Sequence, residues 1–152
     1  MMGYTHYFTQ KKQPSTEQWQ ALKEKVIRVF NVMRTTPDDR FRVCDGSGEI
    51  TLYQAQDLFI EQGQSICFNG ATKLGLDHET FYLTQKCNKN FEFCKTARKP
   101  YDFLVVAVLI LADYYCPNCY NISSDGSKDD WHPVSEWLAK YLLKAYPLPK
   151  NI

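Results

Sequence analysis

The sequence predicts a single α+β domain in two layers, helices on one side of a sheet. Three patterns in its 152 residues point there. Short aromatic and β-branched stretches alternate with a period of two, as half-buried strands do. Two other stretches, after Ser15 and after Asp130, repeat apolar residues at helical spacing. Between them Phe103 to Ala112 is apolar without a break, the pattern of a helix buried on all sides. At ~1.5 Å per residue that helix is ~15 Å long, too short to span a bilayer.

Taken in order, Gly3 to Thr9 is the first strand, with Tyr4, His6 and Phe8 alternating against Thr5, Tyr7 and Thr9. Lys11, Lys12 and Pro14 close it. Ser15 with Gln18 forms a capping box, and Trp19, Leu22, Val26, Val29, Phe30 and Met33 give the following helix its buried stripe to about Arg34. Residues 35–64 read as an excursion from the sheet. In it, R-F-R-V-C and E-I-T-L-Y flank a D-G-S-G turn as a short hairpin, and a helical turn falls within Ala55 to Ile60. Ser65 to Asn69 and Glu79 to Gln85 are strands, and Phe91 to Cys94 extends their pairing past a polar turn. The buried helix starts after Pro100, which suits a first helical position, and stops near Tyr115 ahead of Pro117. Tyr120 to Ser123 is a last strand. Asp130 caps the final helix, with Pro133 in its first turn and Val134, Trp137, Leu138, Tyr141, Leu142 and Ala145 on its buried face. The order β-α-(excursion)-β-β-α-β-α, without the excursion and the extra C-terminal helix, is that of the ferredoxin-like sandwich, with two long helices on one face of a mixed sheet. No repeat or linker marks a domain boundary, so residues 1–152 form one domain.

Hydrophobic content of 44% and charged content of 23% are ordinary for a globular chain, and a net charge of +1 supplies no global basic field for long nucleic acid. No membrane segment and no signal pattern is visible, so the expected compartment is the cytoplasm and the six cysteines are expected to be thiols. Cys116-Pro117-Asn118-Cys119 has the spacing of a zinc knuckle, but no second C-x-x-C completes it, and the pair is read as a turn. Asp45 to Ile50 resembles part of a calcium loop, yet its register puts Val43 and Gln54 at the outer ligand positions, which rules it out. Nothing calls for a metal or a cofactor.

The strongest functional signal is K-T-A-R-K-P-Y-D. Lys95, Arg98 and Lys99, with the Thr96 hydroxyl, gather where the buried helix begins. A helix N-terminus favours anions through its free N–H groups and its dipole. Arg98 can grip a phosphate or carboxylate with two parallel hydrogen bonds. Tyr101 is placed to stack on a base or contact the anion, and Asp102 to orient Arg98 or stabilise the positive helix end. The bland alternative is a solvated basic loop. His78 and Glu79 open a strand, where Glu79 suits a ribose hydroxyl and His78 ligand contact more than acid–base work, since no nucleophile adjoins them. His6 is the other candidate acid or base, against the plainer reading of a hydrogen-bonded core histidine. Ser123, Ser124 and Asp125 form a loop after a strand, a common ligand-binding position, though Ser, Asp and Gly are also ordinary turn residues. Asn69 has the same ambiguity.

The strings G-Y-T-H-Y (3–7), F-N-G (68–70), H-E-T-F (78–81), F-C-K-T-A-R-K-P-Y-D (93–102) and S-S-D-G (123–126) together resemble a family of small bacterial and phage proteins with no activity assigned. The resemblance spans most of the chain and leaves out residues 35–64 and the C-P-N-C turn. It implies that these polar segments belong together, and it argues against zinc at Cys116 and Cys119. On the resemblance alone, a phage-encoded member would act in the host cytoplasm and could sequester a host signalling nucleotide.

Cations for phosphate, rings for a base and carboxylates for sugar hydroxyls make a small phosphorylated, nucleotide-derived molecule the expected partner. The alternatives are a phosphodiesterase or hydrolase acting on such a ligand, with His78 or His6 as acid or base, and a non-catalytic protein-interaction module. No membrane and no long nucleic acid are expected as partners, and a homo-oligomer is compatible with the sequence.

Overall fold

The computed structural model describes residues 3–38 and 41–152; residues 39 and 40 of the excursion and the two N-terminal methionines lie outside the described residues. Three helices and two small antiparallel sheets make one α+β domain.

Strand β1 (Thr5–Gln10) is the middle of the first sheet, between β5 (Phe91–Lys95) and β6 (Tyr120–Ser124). Its alternation is the expected one. His6, Phe8 and Gln10 are buried, while Thr5, Tyr7 and Thr9 face outwards. The second sheet is β2 (Phe59–Ile60), β3 (Ser65–Phe68) and β4 (Phe81–Thr84), with β3 in the centre. The single mixed sheet expected from the element order is therefore not formed, and β5 extends β1 rather than β4. The cause is local. The turn 61–64 carries Glu61, Gln62 and Gly63 at positive φ and folds β3 straight back on β2, and β4 completes that sheet. The sheets meet through the core instead of a ladder, with the Phe81 ring 5.1 Å from Phe68 and 5.4 Å from Phe8.

The excursion thus builds part of the second sheet. Its hairpin is reduced to a bridge between Cys44 and Thr51 and another from Cys44 to Asn69. Asp45 closes the turn by accepting from Ser47 Oγ at 2.7 Å and from the Ile50 N–H at 3.3 Å. A 3-10 turn, Ala55–Leu58, leads into β2.

Helix α1 (Thr16–Met33) has the Ser15–Gln18 capping box and the predicted buried stripe. Helix α2 (Asp102–Tyr115) buries every residue from Phe103 to Ala112, because α1, α3 and β6 all pack against it. Helix α3 (Lys128–Leu142) begins a turn earlier than expected: Ser127 is the cap, and Asp130 is its box partner three residues in. No helix among the described residues is long and apolar enough to cross a membrane.

Candidate functional site

The inward face of β1 places His6 opposite Ser124 of β6 and Cys94 of β5. Register partners in an antiparallel pair hold their Cβ atoms ~5 Å apart on one face, which is hydrogen-bonding reach for His and Ser. His6 Nδ1 lies 2.8 Å from Ser124 Oγ, and His6 Nε2 lies 2.6 Å from Asp102 Oδ1 at the start of α2. Thr96 Oγ1 donates to the same Asp102 oxygen at 2.6 Å. With Nε2 donating to the carboxylate, Nδ1 is an acceptor, and the Ser124 hydroxyl donates to it. The Gly126 N–H in turn donates to Ser124 Oγ at 2.8 Å. A Cβ at Gly126 would run into the Tyr4 hydroxyl, so only glycine lets that ring in. His6 and Thr96 are fully buried, and the rings of Tyr4 and Trp131 meet His6 edge-on at 5.0 and 5.3 Å. A buried polar chain is tolerated when each member is satisfied, as these four are.

The turn joining β5 to α2 is tight. The N–H groups of Thr96 and Ala97 both donate to the Tyr4 carbonyl, and Ala97 and Arg98 take φ of +52° and +58°. Non-glycine residues avoid this region at a cost of about 1–2 kcal/mol each, and such strain gathers at functional turns. Asp102, Phe103 and Leu104 donate their N–H groups to the carbonyls of Lys99, Pro100 and Tyr101. The helix end expected to offer free N–H groups is therefore closed by its own preceding turn, and the Asp102 carboxylate stands in the first turn. Asp102 is held by His6 and Thr96 rather than by Arg98.

The cations divide. Arg98 lies over the Tyr4 ring at 3.9 Å and donates to Asp130 Oδ1 at 3.0 Å, with 62% of its side chain exposed. Lys99 Nζ donates to the Gly75 carbonyl at 3.0 Å. Lys95 packs along the Gly3 backbone and is not in the lining of the cleft that the other two border. Arg98 and Lys99 border an open cleft of about 330 Å³ with Tyr4, Asp102, Phe103 and Asp130. Its charge is mixed, two cations against two carboxylates. The Ser127 N–H and the Arg98 guanidinium hold the Asp130 carboxyl below the usual carboxylate range. Burial, with Asp102 and Asp130 adding to it, pushes the Tyr4 hydroxyl up to about 12.

Other expected site residues serve the scaffold. Tyr101 is fully buried and donates to the Glu79 carbonyl at 2.5 Å, so its ring is not free to stack on a ligand. Asn69 donates to the His78 carbonyl and accepts from the N–H groups of Gly70 and His78, a closed loop in the interior. Glu79 Oε1 accepts from the Lys95 N–H at 2.7 Å. His78 is exposed outside the cleft lining. Ser123 faces out beside Tyr7, and Asp125 accepts from Tyr7 Oη at 2.9 Å and from the Thr5 N–H at 3.1 Å.

Sequence reasoning missed Tyr4, Asp130 and Trp131 at the site. Tyr4 stood out only as a strand residue, and Asp130 only as a cap. The Ser127-x-x-Asp130 spacing was the available signal for a box, but nothing local ties Asp130 to Arg98. Trp131 Nε1 is buried beside His6 without a hydrogen-bond partner. In the C-P-N-C turn, desolvation pushes the Cys116 thiol up to about 12, against thiolate formation. Among the described residues no cluster of three His, Cys, Asp or Glu is placed to hold a metal. Comparison with protein-family models, with curated proteins and with solved structures finds no match.

Proposed function

We propose that the cleft between the 97–101 turn and the start of α3 binds a small anionic, nucleotide-derived ligand. The observation that supports this most is Arg98, fixed on the Tyr4 ring yet 62% exposed, beside Lys99 at an open cleft. Its partner Asp130 is also at the surface, and exposed pairs contribute about 0–1 kcal/mol. A phosphate can therefore take Arg98 from Asp130 at little cost, and bidentate contact to phosphate is stronger than the pair it replaces. Asp102 and Asp130 then suit sugar hydroxyls, and Phe103 and Pro133 supply apolar wall. The buried His6 chain holds Asp102, and with it the turn, in place.

Titration calorimetry against a panel of nucleotides tests the proposal. A ligand is expected to bind, and Arg98→Ala to weaken it roughly 10- to 100-fold, the worth of a charged hydrogen bond. Lys140→Ala, a cation on α3 outside the cleft, should leave it unchanged. Equal binding by wild type and Arg98→Ala, or none by either, sinks the reading.

Hydrolysis of such a ligand is a second reading, favoured by the Ser124–His6–Asp102 chain, which joins a hydroxyl, an imidazole and a carboxylate. It requires the fully buried His6 to become accessible beside the partly exposed Ser124. Recovering the ligand intact after incubation and denaturation separates binding from turnover.

A further inference from the structure

The outward face of the first sheet carries three aromatic rings that the core does not use. Phe91 and Phe93 on β5 are 61% and 52% exposed, and Tyr7 on β1 pairs in register with Phe93. The Tyr7 and Phe91 rings are near-parallel at 5.8 Å, and Phe91 and Phe93 are also 5.8 Å apart. The helices occupy the opposite face, where His6, Phe8, Cys94 and Ile122 are buried. Burying these two phenylalanines in a core would be favourable, so leaving both on the surface calls for a partner.

The rows around the rings say which kind. Alternation puts Thr5, Thr9 and Lys95 on this face, and the ladder to β6 adds Ser123 opposite Tyr7 and Asn121 opposite Thr9. Lys89, in the turn before β5, and Lys11, after β1, are exposed at the same end of the sheet. Two carboxylates stand at the other end, and both are engaged: Asp125 by Tyr7 and Thr5, and Glu79 by the Lys95 N–H. A face meant for an apolar partner would not interleave its rings with hydroxyls, an amide and lysines. Rings that accept stacked bases, with polar groups for base edges and cations for the backbone, are what a single strand requires.

We propose that this open face binds a short segment of single-stranded nucleic acid, with bases stacked on Tyr7, Phe91 and Phe93. The surface is separate from the cleft of Arg98 and Lys99. It is also compatible with the near-neutral chain: two or three lysines release few counterions, so the affinity falls with salt at a log–log slope of only about −2.

The test uses fluorescein-labelled oligouridylate and oligothymidylate of about eight nucleotides, followed by fluorescence anisotropy against the full chain. Binding of at least one is expected, the two probes separating RNA from DNA. Phe91→Ala and Phe93→Ala should each weaken it roughly 5- to 150-fold, the loss of one stacked base. Both positions are exposed, so the variants should fold, and unchanged circular dichroism checks that they do. Arg98→Ala should bind the probes like wild type, which keeps this surface distinct from the cleft. Absence of binding at ~100 µM protein, a range that even non-specific binding reaches, overturns the proposal. So does a double variant that binds as wild type. Sedimentation showing wild type dimeric and the double variant monomeric, without oligonucleotide binding, would assign the face to a second copy instead.

Discussion

Asp113 lies half-buried near the end of α2, where desolvation pushes its carboxyl above the usual range against the opposing charge of Lys150. A carboxyl raised in the folded state binds its proton more tightly there than in the unfolded chain. The fold therefore loses stability as pH climbs from the ordinary carboxylate value through the raised one. Asp113→Asn should raise the denaturant midpoint at pH 7 and leave it nearly unchanged at pH 3; equal effects at both would show that solvation of this carboxylate is not the cause. The same scale holds the partly legible site. His6 on an inward strand face, and Thr96 and Asp102 ahead of a buried helix, could be read from alternation and position. Their meeting at one oxygen could not, because the 96-residue separation of His6 and Asp102 is closed only by the sheet register.

At the scale of elements, α2 was the most legible feature, since a run that is apolar on all sides has only one stable place. Leu109 is fully buried within it, and Leu109→Ala should cost about 2–5 kcal/mol in chemical denaturation. A loss below ~1 kcal/mol would mean that the helix is not enclosed as described. The capping box of α1 was equally plain, because it is a contact between residues three apart. The start of α2 was misread for a related reason. Its N–H groups are closed by the carbonyls of Lys99, Pro100 and Tyr101, which follow directly on Ala97 and Arg98 in left-handed φ, a conformation no local residue preference announces.

Over the whole molecule, two three-stranded sheets share one core through Phe81, which touches both Phe8 and Phe68. Circular dichroism and tryptophan fluorescence should therefore report a single coincident unfolding transition, and separated midpoints would show the sheets to be independent units. Trp19 suits the purpose, because its Nε1 donates to the Gly63 carbonyl beside the second sheet at 2.8 Å. By itself the chain determined its α+β class, the buried central helix, the cap of α1 and the inward side of β1, since each rests on periodicity or on contacts within a turn. Which strands share a ladder, which carboxylate faces Arg98, and that Phe91, Tyr7 and Phe93 meet on one open face were decided only in three dimensions. Those contacts join residues tens of positions apart, and local sequence carries no record of which distant edge or side chain will be nearest.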